Sequence, residues 1–133
     1  MGCSVQLALK PQRQGVTYAL FGKLCCVCGA GSGVEVWMST TGPLGNYTFR
    51  GQIGRDVESN VAITHAQQAW VLQLPRGFVP EWIWIGDRWG SAADAYGLHG
   101  HDLSYWQPLD FADDGSILPF ATWHDSIAVT VQP

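Results

Sequence analysis

The chain has 133 residues, of which 47% are hydrophobic and only 14% charged, a balance that excludes a disordered protein and predicts a single domain over 1–133. The formal net charge of -4 provides no basic field for a phosphate backbone, so nucleic acid is not an expected partner. The longest apolar stretches, 18–28 and 78–86, contain charged or proline residues and are shorter than the roughly 20 residues that span a bilayer, so no membrane association is expected.

Short runs of β-branched and aromatic residues, each bounded by Gly or Pro, predict strands along most of the chain. The first three, which we expect to be antiparallel neighbours, cover residues 16–22, 33–39 and 47–51. A second group covers residues 69–74, 81–87, 104–111 and 127–131. No segment of helix length has a helical period with caps. The predicted class is therefore all-β, with irregular structure over 1–14.

The spacing of the strand groups is typical of a β-propeller. They recur about every 45–55 residues, which suits propeller blades of four short strands. About two to three blades fit into this length, whereas a propeller needs at least roughly four to close. The chain is therefore expected either to leave sheet edges that other strands must cover, or to form a sandwich instead.

The segment Cys25-Cys26-Val27-Cys28 is the most unusual in the chain. The spacing of Cys25 and Cys28 is compatible with zinc, with His99 and His101 as further ligands, but it matches no standard zinc module, and we predict no metal site. A disulfide among Cys25, Cys26 and Cys28 and a set of three buried thiols are the two interpretations that stay open.

Two further segments carry candidate residues on predicted turns or loops. Asn46-Tyr47-Thr48 is a candidate glycosylation site at Asn46, which favours secretion. His99, His101 and Asp102 lie in a Gly-rich segment without a nucleophile motif such as G-x-S-x-G. Hydrogen bonds that shape a loop are therefore the preferred interpretation of these three side chains.

The seven tryptophans indicate a more specific chemistry. Trp82 and Trp84 share one face of a predicted strand, while Trp89 and Trp106 have polar neighbours. A flat ring among polar groups suits sugar binding, because a pyranose has an apolar C–H face and a rim of hydroxyls. A tryptophan-rich core is the alternative explanation.

Motifs along nearly the whole chain, from about Gly15 onward, resemble the last blades of glycoside hydrolase family 43, in its exo-β-1,3-galactanase-like branch. The resemblance rests on residues 63–71 with a Q-x-x-x-V string, residues 82–90 with GDRW, residues 100–109 with a YW-PL string, and residues 113–115. Residues 18–22, the cysteine segment, residues 31–33 and residues 42–45 look like the penultimate blades of that family.

The resemblance implies a five-bladed propeller whose axial pocket cleaves a terminal sugar. Glycosidases generally need two carboxyl groups, and in this family they come from earlier blades. No Glu stands about ten residues before Gly15, where the resemblance would place the proton donor. Gln67 of the Q-x-x-x-V string is the predicted catalytic residue. The predicted substrate-binding residues are Trp84, Asp87, Trp89, His101 and Asp102.

These features lead to three alternative functions. The first is a propeller fragment associated with degradation of galactan-type polysaccharide, inactive alone because its acid and base are missing. The others are a non-catalytic carbohydrate-binding module and a structural subunit that pairs through exposed strand edges. Carbohydrate is the expected ligand and no cofactor is predicted, with calcium allowed by the resemblance only. The resemblance also implies an extracellular or secretory location, although no signal peptide is visible at the start of this sequence.

Overall fold

The computed structural model describes residues 6–12, 15–22, 33–88, 90–91 and 102–131. Within these ranges the protein is all-β, without a helix, as the strand patterns predict, and it therefore contains no helix that could cross a membrane. The strands are β1 (Gln6–Gln12), β2 (Gly15–Gly22), β3 (Glu35–Ser39), β4 (Thr48–Gln52), β5 (Gln67–Gln73), β6 (Phe78–Val79), β7 (Trp82–Arg88), β8 (Leu103–Pro108) and β9 (Thr130–Val131).

The first sheet has four antiparallel strands in the order β1-β2-β3-β4. The sequence correctly predicts β2, β3 and β4 as antiparallel neighbours. By contrast, β1 is a regular strand within 1–14, where irregular structure is predicted. The reason is tertiary pairing: β1 matches β2 residue by residue, from Gln6 opposite Phe21 to Gln12 opposite Gly15. The backbone hydrogen bonds of this ladder make the segment extended, although its local sequence predicts no strand.

The second sheet has the order β5-β7-β8, and a separate ribbon pairs β6 with β9. All of these pairs are antiparallel, and no sheet closes into a barrel in the described part of the chain. The predicted strand 127–131 is shortened to Thr130–Val131, because only these two residues pair, with Phe78 and Val79. The predicted strand 104–111 ends at Pro108.

The two larger sheets share one hydrophobic core. Alternate residues of each strand point to the same side, so each sheet buries one apolar face. The first sheet contributes Ala19, Phe21, Val36 and Met38, and the second contributes Val71, Trp82, Trp84 and Tyr105. The first strands of the two sheets lie near each other, since β5 contacts both β1 and β2.

The opposite, outer face of the first sheet also carries large apolar residues. The backbone register places Trp37 of β3 opposite Phe49 of β4 on this face, and we call these two residues the first outer row. The rings of Trp37 and Phe49 lie 5.1 Å apart, yet they remain 40% and 46% exposed. An apolar patch formed by these two rings is therefore open to solvent on β3 and β4.

The outer face of the second sheet repeats this arrangement. The register aligns Trp70, Ile85 and Trp106, which we call the second outer row. Trp70 is 58% exposed and Trp106 is 45% exposed, whereas Trp84, on the inner face, is completely buried. Tryptophans of one sheet thus differ completely in their access to solvent.

Candidate functional site

Gln67 and Asp87, the predicted catalytic residue and one predicted substrate-binding residue, lie side by side at one end of the second sheet. They form a register pair between β5 and β7. A bulge between Gln68 and Trp70 inserts one extra residue into β5. Because of this bulge, Gln67 and Trp70 both stand on the outer face, although a spacing of three would separate them in a regular strand. The side-chain Oε1 of Gln67 is buried and has no hydrogen-bond partner among the described residues.

Asp102 closes the same end of the sheet by a local hydrogen bond. Its Oδ2 accepts from the backbone N of Gly90 at 2.9 Å, and Ser91 Oγ accepts from the backbone N of Leu103 at 2.8 Å. Both bonds join the chain just after β7 to the beginning of β8. Asp102 thus connects two segments of the backbone, and its substrate-binding role stays a prediction.

Trp84 lies in the core. Its ring is 0% exposed and is 5.6 Å from the ring of Phe120, on the face opposite Gln67 and Asp87. The structure thus separates Trp84 from the other predicted substrate-binding residues that it describes. In this position the indole packs the two sheets together, as the core alternative requires.

Of the remaining predicted site residues, the structure describes Asn46. Asn46 is exposed beside a turn in which Gly45 N donates to Gly42 O at 3.0 Å, so its side chain is accessible. Glycosylation of Asn46 stays a prediction. The positions outside the described residues are Cys25, Cys26, Cys28, Trp89 and His101. Among the described residues, no group of three or more His, Cys, Asp or Glu could hold a metal ion.

A cluster around Trp123 forms where β7 ends and β8 begins. Its ring stacks on Tyr105 with centroids 4.1 Å apart and planes 17° from parallel. The guanidinium carbon of Arg88 lies 4.8 Å from the centre of the Trp123 ring, a cation–π contact. The indole Nε1 donates to Asp125 Oδ1 at 2.9 Å. Three different interactions therefore hold the indole in one orientation.

Tyr105 links this cluster to the core of the second sheet. Its hydroxyl donates to Gln107 Oε1 at 2.8 Å and accepts from the backbone N of His124 at 2.9 Å. Burial raises the pKa of the Tyr105 phenol, and the Asp125 carboxylate raises it further. The His124 N–H bond and the Arg88 charge act in the opposite direction. Tyr105 is thus held as a neutral hydroxyl, which can donate and accept at once.

His65 stands next to this cluster in an unusual backbone conformation. Its φ of 44° lies in the left-handed region, which costs energy for a residue with a Cβ. Its ring centroid lies 6.4 Å from that of Trp123. Strained residues of this kind are often found at binding or catalytic sites.

A cavity of about 340 Å³ lies between β8 and the segment 123–127. It is lined by Arg88, Leu103, Ser104, Tyr105, Trp106, Trp123, His124, Asp125, Ser126 and Ile127. Its wall thus combines aromatic rings with hydroxyl, imidazole, carboxylate and guanidinium groups. By register, Ser104 lies opposite Asp87, which is itself opposite Gln67, so the cavity begins two strands away from the predicted catalytic residue.

Sequence patterns single out neither Trp123 nor its neighbours His124 and Asp125. The triplet lies outside the predicted strands, and its partners Arg88 and Tyr105 are distant in the chain. One local feature could have indicated this cluster. Trp, His and Asp stand in consecutive positions, and Trp106 also has polar neighbours in the sequence. Only the fold brings the two patterns together.

Comparisons with protein-family models, curated proteins and solved structures give no match to this chain. The resemblance to glycoside hydrolase family 43 therefore rests on the sequence motifs alone.

Proposed function

We propose that this chain forms part of a β-propeller of the glycoside hydrolase family 43 type, associated with degradation of galactan-type polysaccharide. In this proposal the chain supplies blades and one pocket residue, and it does not cleave sugar by itself. The observation that carries the proposal is the presence of apolar cross-strand rows on both outer faces of a two-sheet unit.

The outer rows favour a stack of more than two sheets. In a self-contained sandwich, residues on the inner faces alternate with polar residues that point outward. Here Trp37 and Phe49 on one side, and Trp70 and Trp106 on the other, are apolar and partly exposed. In a propeller every blade packs through both of its faces. Further sheets, on the same polypeptide or on another, would cover both outer rows.

The arrangement of the first strands supports the same proposal. Blades of a propeller surround a central channel, so their first strands come close together. Contact of β5 with β1 and β2 is the corresponding feature of this chain. Gln67, the first residue of β5, also has a buried Oε1 without a partner among the described residues. A buried acceptor of this kind requires a donor, which a neighbouring blade or a bound ligand would supply.

The chemistry of the site limits the role of this chain in catalysis. Glycoside hydrolysis needs a protonated carboxyl group and a second carboxylate, held about 5–10 Å apart across the scissile bond. We assign Gln67 a contact with the reacting sugar, and we assign the acid and the base to blades beyond this sequence. Loss of a general acid lowers the rate by about two to four orders of magnitude, so the isolated chain should be inactive.

Light scattering of the purified chain tests the proposal. If the outer rows are uncovered interfaces, the chain should self-associate with increasing concentration and bind a fluorescent apolar dye. The double variant Trp37→Gln, Phe49→Gln should shift the population toward monomer and reduce dye binding. Arg50→Gln, an exposed substitution on the same strand but outside the row, is the matched control.

An activity assay completes the test. Incubation of the chain with β-1,3-galactan should release no reducing sugar. Release of sugar by the chain alone would contradict the missing acid and base. A monomer at all concentrations that is unaffected by the double variant would contradict the uncovered interfaces.

A further inference from the structure

We infer that the cavity between β8 and the segment 123–127 binds a neutral saccharide of one or two rings. Residues of this chain alone line the cavity. The second outer row, which the propeller proposal covers with a further sheet, includes Trp106, so the inference applies to the chain by itself, with that row uncovered. It also lies apart from Gln67, two strands away across the sheet. The cavity would therefore retain a sugar without taking part in its cleavage.

The back wall of the cavity is rigid before any ligand arrives. Trp123 is fixed by its stack on Tyr105, by the Arg88 guanidinium and by the hydrogen bond from its Nε1 to Asp125. Tyr105 is in turn fixed by Gln107 and by the backbone of His124. A site whose side chains are already held in place loses little conformational entropy on binding. Preorganisation of this kind distinguishes the cavity from an ordinary surface groove.

Trp106 provides the aromatic platform. It lines the cavity while 45% of its surface stays exposed, so part of the ring is available for contact. The apolar C–H face of a pyranose packs on such a ring, and its hydroxyls then point to the rim. The rim carries suitable partners for hydroxyl groups in the side chains of Ser104, His124, Asp125 and Ser126.

The charges on the wall favour a neutral ligand. Arg88 and Asp125 oppose each other in sign, so the wall has no excess of positive charge that would select a phosphate or sulfate. An anionic ligand would meet the Asp125 carboxylate, and a cationic one would meet the Arg88 guanidinium. A polyol, in contrast, can accept from Arg88 and donate to Asp125 at the same time.

The volume restricts the size of the ligand. About 340 Å³ lies near the lower limit of the range found for small-molecule sites, roughly 300–1,000 Å³. This space suits a monosaccharide or a disaccharide. Longer chains would have to leave the cavity over the outer face of the sheet, where Trp70 and Ile85 continue the row from Trp106.

Nuclear magnetic resonance of the indole N–H groups in the whole chain is the decisive experiment. The seven tryptophans give at most seven such signals, which single Trp→Phe variants assign. Titration with lactose, galactobiose, cellobiose and xylobiose should move the signals of Trp106 and Trp123 at millimolar concentrations. The signals of Trp70 and Trp84 should stay in place, because neither residue lines the cavity.

A pair of matched variants locates the site. Trp106→Ala should weaken binding of the best disaccharide about tenfold, because it removes the stacking platform. Trp70→Ala removes a somewhat more exposed ring from the same outer row and should leave the affinity unchanged. Asp125→Asn keeps an oxygen acceptor for Trp123 Nε1 but loses the charge, and it should weaken binding about threefold.

Three results would overturn the inference. The first is an absence of shifts with all four disaccharides at millimolar concentrations. The second is equal loss of affinity in Trp70→Ala and Trp106→Ala, which would place the sugar on the open outer face instead of in the cavity. The third is stronger binding of inorganic phosphate than of any disaccharide. Light scattering measures self-association separately, and the titration uses a concentration at which the chain is a monomer, so the failure of one proposal is distinguishable from the failure of the other.

Discussion

Tyr105 and Trp123 stack nearly parallel, with ring centroids 4.1 Å apart, and this contact joins strand β8 to the C-terminal segment. The His124 backbone N–H donates to the Tyr105 hydroxyl beside the stack, at 2.9 Å. Just after β8, Leu109 N donates to Trp82 O, and Phe120 N then donates to the O of Ile53, the residue just after β4, with both distances 2.9 Å. The segment after β8 therefore connects both sheets, and its position depends on a few specific contacts.

Removal of the Trp123 ring should destabilise the fold. We expect Trp123→Ala to lower the free energy of unfolding by about 2–4 kcal/mol, because a packed aromatic ring and its stacking partner are lost. Trp70→Ala, which removes an exposed ring, should cost less than about 1 kcal/mol. Urea denaturation of the two variants measures the difference. Equal costs would show that the stack on Tyr105 contributes nothing.

Loss of the Tyr105 hydroxyl should alter stability at alkaline pH. Burial raises the pKa of Tyr105 in the folded protein. The contribution of Tyr105 to the free energy of unfolding is therefore complete below its pKa in the unfolded chain, about 10. This contribution is lost as the pH rises through the higher pKa of the folded protein. Tyr105→Phe cannot ionise, so it should lose less stability than the wild type above pH 10, measured by urea denaturation at successive pH values.

The same variant should be less stable than the wild type at neutral pH. It leaves Gln107 Oε1 and the His124 N–H without their partner, at a cost of about 1–3 kcal/mol. Tyr47→Phe is the control, because the Tyr47 hydroxyl donates to Pro43 O at an exposed turn and its loss should change stability little. If the free energy of unfolding had the same pH dependence above pH 10 in Tyr105→Phe and in wild type, Tyr105 would be excluded as the titrating group.

A methyl group at Gly86 should disturb the packing of Trp84. An ideal Cβ at this position would lie 2.8 Å from Cζ3 of Trp84 and 2.9 Å from the Cβ of Ala66. We expect Gly86→Ala to destabilise the protein by about 1–3 kcal/mol through overpacking. The substitution should cost less in a Trp84→Phe background, where the smaller ring leaves space. A double-mutant cycle by chemical denaturation checks this, and perfect additivity would show that the two residues do not compete for space.

The carboxylate of Asp114 should titrate at unusually low pH. Hydrogen bonds from the Ser116 side chain and backbone, at 2.6 and 2.9 Å, hold the pKa of Asp114 below its ordinary value. Because the pKa of Asp114 is lower in the folded protein than in the unfolded chain, the carboxylate stabilises the fold above the unfolded pKa of about 4. This stabilisation is lost as the pH falls through the folded pKa. Ser116→Ala should move the Asp114 titration upward in an NMR pH series.

Asp56 provides the reciprocal control for that series. The pKa of Asp56 is lowered mainly by the backbone N–H of Ser59 and next by its hydroxyl, each 2.7 Å from Oδ1. Ser59→Ala should therefore raise the pKa of Asp56 and leave Asp114 unchanged, while Ser116→Ala should do the opposite. A shift of both carboxyls in either variant would indicate a global change instead of two local turns.

Most of the strands follow from local sequence, and the differences have identifiable causes. Runs of β-branched and aromatic residues bounded by Gly or Pro mark β2, β3, β4, β5, β7 and β8, because the preference of these residue types for extended backbone is a local property. The sequence patterns predict neither β1 nor β6. Strand β1 is extended because it pairs with the next strand, β2, and β6 is extended because it pairs with β9, which is distant in the sequence. For the same reason the apolar run 127–131 is paired only at Thr130 and Val131.

The candidate site was accessible from sequence only in part. Two separate motifs of one family resemblance predict Gln67 and Asp87, and the structure pairs these two residues. Trp84 and Trp106 look alike in sequence, yet one is completely buried and the other is half exposed. Strand β7 presents Trp84 to the core, and the register with β8 places Trp106 on the other face. No local pattern reveals which face of a strand meets the second sheet.

By itself, the sequence determined the all-β class, the approximate strand positions and the aromatic chemistry, because these depend on residue type and on a period of two. The tertiary structure alone decided which aromatic rings became core and which became surface, and it brought Trp123 to Arg88 and Tyr105. The physical reason is that pairing register and one inserted residue in β5 determine which face each side chain occupies. Register is set by contacts between distant parts of the chain, which local sequence does not encode.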